Sequence, residues 1–192
     1  MISNNKYDKE EILMKIFEKD LFRYYGEKGE SFANRLFRPK ELQYICVLRK
    51  AQAAKNKFLK IYYKLKLRKL SNKTQIQIPV TAKIGEGFYI GHLGRIIINP
   101  DAVLGKNVNI ATGVTIGREN RGERKGSPQI GDKCWIGTNS VIVGNVKIGN
   151  DVMIAPLTFV NFDVPDHSVV VGNPAKIISK ENATEGYINN KV

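Results

Sequence analysis

A spacing of six governs the C-terminal part of the chain. Aliphatic residues stand at Ile78, Ile84, Ile90, Ile98, Leu104, Ile110 and Ile116, and again at Ile130, Ile136, Ile142, Ile148, Ile154 and Val160. A small residue often follows the aliphatic head, as in IGEGFY, IGHLG, IGDKCW and IGNDVM. An α-helix, repeating near 3.6 residues, drifts out of step with six, and a simple alternating strand would place apolar residues at every second position, so neither accounts for a spacing of six kept this long. A short fixed period defines a solenoid, in which each unit buries its head only by stacking on its neighbours. The expected architecture is mostly β: a prism in which six residues make one short strand and one turn, and three units complete a coil. Glycine and asparagine serve the turns because they tolerate unusual backbone angles.

Two units break the period. The one headed by Ile90 runs eight residues to Ile98, and the gap from Ile116 to Ile130 is fourteen. Extra residues in a regular solenoid bulge outward and mark its functional face.

The first third follows another rule. The chain has 192 residues with 31 Lys and Arg against 18 Asp and Glu, a net charge of +13. Residues 1–75 hold 19 basic and 8 acidic residues (+11), and residues 76–192 hold 12 and 10 (+2), so the basicity belongs to the N-terminal region. There the spacing turns helical, with one stripe through Ile12, Ile16 and Phe17 and a longer one through Leu59, Tyr62, Tyr63, Leu67 and Leu70. Pro39 separates them. The interval 49–73 carries ten basic residues and no acidic one, and reads as a basic amphipathic helix. Such a helix packs on its own domain or a sister subunit, or lies on an anionic membrane surface. No aromatic-and-basic nucleic-acid motif occurs, and no nucleic-acid partner is expected.

A hydrophobic content of 42% is too high for a disordered basic chain. No stretch is apolar for the length of a membrane span, and the first residues lack the layout of a signal peptide, so the chain reads as cytoplasmic, with peripheral contact at the inner face of the membrane as a further option. Cys46 and Cys134 lack metal or disulfide spacing, and Cys134 reads as a buried inert thiol. His92 and His167 are the two histidines, which excludes a three-histidine metal site; no metal is expected.

The segments AKIGEGFYIGHLG (82–94), NVNIATGVTIG (107–117), PQIGDKCWIGTNSVIVGNVKIGNDVMIAP (128–156) and VPDHSVVVGNPAKII (164–178) resemble the hexapeptide-repeat acyltransferases, and most of all their serine acetyltransferase-like branch. That resemblance implies a left-handed parallel β-helix preceded by an α-helical region. The expected parts are a basic helical region (1–75), a β-helix acyltransferase domain (76–172) and a C-terminal tail (173–192). It also implies a homotrimer with acetyl-CoA in the groove between neighbouring prisms and active sites shared by two subunits.

The family's catalytic base matches His92. Attack of an alcohol on a thioester needs a base, and a neutral imidazole with a pKa of about 6.5 serves near neutrality. No G-x-S-x-G turn occurs, so direct transfer in a ternary complex is expected, with a backbone N–H at the oxyanion and CoA thiolate leaving. Matching residue by residue places Gly117, Thr138, Pro156, Gly172, Pro174 and Lys176 against the coenzyme. Trp135 and Phe159 read as packing residues, and His167 as a surface residue.

Three departures bear on the acceptor. The aspartate that supports the family's histidine is Gln77 here, whose carbonyl can still hold the imidazole tautomer. The aspartate directly before the histidine is Gly91. The Arg-His pair that grips a substrate carboxylate falls on Gly126 and Ser127, which cannot supply that charge. Arg118, Arg121, Arg124 and Lys125 remain in the same loop. These departures look like enzymes that O-acetylate sugars of surface polysaccharides, and that is the leading expectation: a glycan or other small-molecule acceptor, with Arg124 and Lys125 meeting phosphates. The alternatives are serine O-acetyltransferase and, from another class, a non-catalytic trimeric scaffold docking through the basic helix.

Overall fold

The computed structural model describes residues 9–192; the first eight residues of the expected helical region (1–75) lie outside them. Four helices come first: α1 (Lys9–Tyr25), α2 (Phe32–Leu36), α3 (Lys40–Ala53) and α4 (Lys57–Thr74). Fifteen short strands follow. The first coil holds β1 (Ile76–Gln77), β2 (Lys83–Ile84) and β3 (Tyr89–Ile90); the second β4 (Ile96–Ile98), β5 (Val103–Leu104) and β6 (Asn109–Ile110). The third holds β7 (Thr115–Gly117), β8 (Gln129–Ile130) and β9 (Trp135–Ile136); the fourth β10 (Val141–Val143), β11 (Lys147–Ile148) and β12 (Val152–Ile154). The fifth begins with β13 (Phe159–Val160), and the chain closes with β14 (Ser168–Gly172) and β15 (Ala175–Ser179).

Every third strand pairs in parallel, giving three faces ordered β1-β4-β7-β10-β13, β2-β5-β8-β11 and β3-β6-β9-β12-β14. β15 then adds antiparallel to β14, so the tail begins as part of a sheet. The six-residue spacing thus becomes three aliphatic columns: Ile90, Ile110, Ile136, Ile154 and Val170 lie in register on the third face, all buried. At the corner after the second face the stacked turns share a side-chain ladder. Asp132 accepts from the Lys106 N–H (2.7 Å), Asn150 from Asp132 (2.8 Å) and Asp166 from Asn150 (2.8 Å), so backbone donors left over by the turn are satisfied by the next coil.

The helices cap the open edge of the first coil. An unpaired edge strand leaves backbone donors and acceptors without partners, and here side chains supply them. Buried Arg49 donates to the carbonyls of Ile84 (2.8 Å) and Gly85 (2.6 Å) and pairs with buried Asp20 (2.8 Å), whose other oxygen accepts from Phe88 N–H. Arg23 donates to the Gly87 carbonyl, and the hydroxyls of Tyr24 and Tyr44 each bridge the N–H and carbonyl of one residue, Ile90 and Ile78. Burial lowers Arg23 to about 10 and raises Asp20 and Tyr24.

Two helical expectations are corrected by this cap. The basic interval 49–73 is two helices, because Asn56 caps α4 by accepting from Phe58 N–H (2.8 Å). Arg49 belongs to α3 and is interior. Ile12 is exposed, since the inward face of α1 is chosen by Phe17, Asp20 and Arg23. Leu59 and Tyr62 are likewise exposed on α4, leaving Leu67 buried and Tyr63 and Leu70 half-buried.

Candidate functional site

The corner after the third face gathers most of the expected site. Two residues beyond each aliphatic head of that column stand His92, Thr112, Thr138, Pro156 and Gly172, one per coil. Strands in a sheet lie about 4.8 Å apart, so these five positions span roughly 19 Å along the prism axis. The residue between head and corner is Gly91, Ala111, Gly137, Ala155 or Val171, and the small ones keep the wall close. At Gly137 a Cβ would sit 2.6 Å from the Pro156 nitrogen, so only glycine fits.

His92 crowns the eight-residue unit as an exposed side chain. Its bulge is pinned from both sides, by Gly91 N–H to the Ile110 carbonyl (3.2 Å) and Gly94 N–H to the Thr74 carbonyl (3.3 Å). Pro174 and Lys176 continue the corner at its far end, on the turn and strand that follow Gly172, with Lys176 exposed opposite Val171. Thr112 was not singled out by the sequence, although counting two residues past Ile110 finds it.

Other expected residues lie elsewhere. Gln77 is exposed on β1 beside Ile97, and within one chain no hydrogen bond joins it to His92. Gly117 ends β7 at the opposite edge of the first face, where the long insertion leaves. That insertion folds as a loop closed by reciprocal backbone bonds between Glu119 and Gly126 (2.9 and 3.0 Å). Arg118 is paired with Asp101 (2.7 Å), while Arg121, Arg124 and Lys125 are exposed. Ser127 is buried with its hydroxyl on Asn99 (3.0 Å), and Gly126 approaches Asn145 so closely that a Cβ would meet it at 2.9 Å. His92 and this loop therefore flank the first face at its two edges.

Cys134 is buried, its thiol pushed up to about 12 by desolvation, an inert packing residue. Trp135 packs against Tyr187 of the tail. His167 holds Asp151 through Nδ1 (2.9 Å), four coils' worth of chain away from the His92 bulge. Among the described residues no cluster of His, Cys, Asp or Glu could hold a metal ion.

A three-faced β-helix with one corner kept narrow by small residues and a histidine on an outward bulge defines a left-handed hexapeptide-repeat solenoid. Residues 127–161 match the family described as bacterial transferase hexapeptide (six repeats). The chain is 30% identical to the serine acetyltransferase of Neisseria gonorrhoeae solved in complex with serine, with a TM-score of 0.71 over 87% of this chain and 69% of that one. It belongs to the hexapeptide-repeat transferase family. Serine acetyltransferase 2 of Arabidopsis thaliana is 42% identical over 103 residues, 54% of this chain and 32% of its own. A serine acetyltransferase of Staphylococcus epidermidis is 37% identical over 113 residues, 59% of this chain and 53% of its own. The chain thus spans about a third to a half of the length of these two relatives.

Proposed function

We propose that the protein is an acetyl-CoA-dependent O-acetyltransferase of the serine acetyltransferase type, with His92 as its general base. The observation that carries this reading is the single register shared by His92, Thr138, Pro156 and Gly172. An extended thioester donor laid along that corner brings its acyl carbon to the imidazole at one end and its phosphates to Lys176 at the other. His92 takes the acceptor's hydroxyl proton as the oxygen attacks the carbonyl carbon. The tetrahedral oxyanion collapses, the C–S bond breaks, and the imidazolium returns its proton to the departing thiolate.

L-serine is the acceptor that the relatives' names favour, including one solved with serine bound. A sugar hydroxyl is a second reading, favoured by one specific observation. At the loop positions matching the family's carboxylate-gripping pair, Gly126 has no side chain and the Ser127 hydroxyl is engaged by Asn99. Arg121, Arg124 and Lys125 offer cations from other positions of that loop. The placement of His92 and the loop at opposite edges of one face, some 20 Å apart for six residues of strand and turn, supports a homotrimer in which each site joins His92 of one copy to the loop of the next.

The test follows CoA release with L-serine, simple sugars and nucleotide sugars. His92→Ala is expected to lower turnover by about 10²- to 10⁴-fold, and unchanged turnover would remove the base. Faster turnover with L-serine than with every glycan assigns the serine reading; the reverse assigns the sugar one.

A further inference from the structure

Helix α4 has two apolar faces. Leu67, Thr74, Tyr63 and Leu70 turn inward. On the opposite side Phe58, Ile61, Tyr62 and Leu65, spaced i, i+3, i+4, i+7, are between 47% and 80% exposed. At 100° per residue Leu65 stands at the centre of the outward face. Lys57, Lys64 and Arg68 border this stripe on one side and Lys66 and Lys73 on the other, and Lys69 continues its line one turn beyond Leu65. The helix carries seven basic residues and no acidic one.

We propose that this outward face docks the protein on an anionic lipid bilayer, with α4 lying in the plane of the interface, its apolar stripe in the acyl boundary and its lysines among the headgroups. Charge complementarity selects the occupant. A second copy would bring seven cations against seven with no anion on either helix, and like charges repel. A bilayer satisfies both parts of the face at once, because anionic headgroups neutralise the cations while the boundary beneath them accepts Phe58 and Leu65. No described helix is long and apolar enough to cross a membrane, so contact is parallel to the surface.

The test is sedimentation of the full chain with phosphatidylcholine vesicles containing or lacking phosphatidylglycerol. Binding is expected only with phosphatidylglycerol, weakening about tenfold or more from low to high salt. Phe58→Gln with Leu65→Gln removes exposed side chains and is expected to weaken binding about tenfold with the thermal transition unchanged. Lys64→Gln with Arg68→Gln is expected to reduce the preference for anionic vesicles. Absence of binding to phosphatidylglycerol vesicles overturns the proposal, as does equal binding to neutral vesicles or full binding by both variants. If the Phe58 and Leu65 variant instead breaks an oligomer in sedimentation velocity and the wild type ignores vesicles, the stripe is an interface between copies and the proposal fails.

Discussion

The helical region and the β-helix solve burial in opposite ways. In the β-helix the interior is almost wholly aliphatic, and its polar groups stand at the corners. The helical region buries Asp20, Arg23 and Arg49 while leaving Phe32, Phe37, Phe58 and Leu65 in the open. The difference comes from what each must satisfy. A middle coil finds its backbone partners in identical coils above and below, so it needs only apolar filling. The first coil has no coil below, and the helices must present donors and acceptors to its edge. Charged side chains are long enough to reach carbonyls that an apolar helix face would leave unpaired.

The largest expected effect falls on that cap. Asp20→Ala strips the buried Arg49 guanidinium of its carboxylate and Phe88 N–H of its acceptor. Breaking one side of a buried ion pair costs about 3–5 kcal/mol, read as a fall in the denaturation midpoint. Replacing both Asp20 and Arg49 by apolar residues removes the uncompensated charge, yet still leaves the carbonyls of Ile84 and Gly85 and the N–H of Phe88 without partners. The double variant should therefore recover only part of the loss. Full recovery would break the comparison, for it would mean the pair holds itself and not the coil edge.

This contrast also explains how much could be read from the sequence. Translational repetition makes burial a local rule: a residue six positions on has the same surroundings, so Ile90, Ile110 and Ile136 announce their own column. Counting onward from those heads also reaches His92, Thr138 and Pro156. Inside the helical region no such rule exists, since the inward face of α1 is decided by the coil edge it meets. Hydrophobic spacing therefore points to Ile12, while the structure turns Asp20 and Arg23 inward. The break at Asn56 was equally hidden, because the alanine-rich stretch AQAAK before it and the lysines and leucines after it all favour helix and hold no glycine or proline to mark a boundary. The relation between Gln77 and His92 could not emerge from alignment to a motif either, as it depends on where each side chain lies around the bulge.

A smaller effect is expected from the corner wall. At Gly137→Ala the added Cβ meets backbone nitrogen of the next coil at 2.6 Å, and backbone cannot rotate aside as a side chain can. Overpacking of this kind costs about 1–3 kcal/mol. It should also push Thr138 and Pro156 apart, weakening coenzyme binding more than acceptor binding. An increase in the apparent constant for acceptor alone would place the coenzyme somewhere other than this corner.

The smallest effect concerns charge at the far side of the β-helix, where the tail is fastened. The Asp151 carboxylate accepts from the N–H groups of Ala183 (3.0 Å) and Thr184 (3.1 Å), from the Thr184 hydroxyl (2.7 Å) and from His167 Nδ1 (2.9 Å). The hydrogen bond to Asp151 raises His167 above its usual value, against a small opposing desolvation and with Glu181 adding to the rise. Desolvation alone would raise Asp151, but the donors from Thr184, His167 and Ala183 outweigh it and hold the carboxyl below the ordinary range. A histidine raised by folding contributes stability that is complete below its unfolded value of about 6.5 and is lost as pH climbs through the raised folded value. The depressed Asp151 contributes above its unfolded value of about 3.9 and loses that contribution as pH falls through the folded one. The tail is therefore held most firmly between roughly pH 4 and 6.5. Amide exchange at Ala183 and Thr184, corrected for the intrinsic rate, should show protection declining as pH rises above that window. In His167→Gln the decline should vanish, while the acid-side loss from Asp151 persists. An alkaline decline that survives His167→Gln would assign the pH response to another group and leave the tail's fastening to the Asp151 acceptors alone.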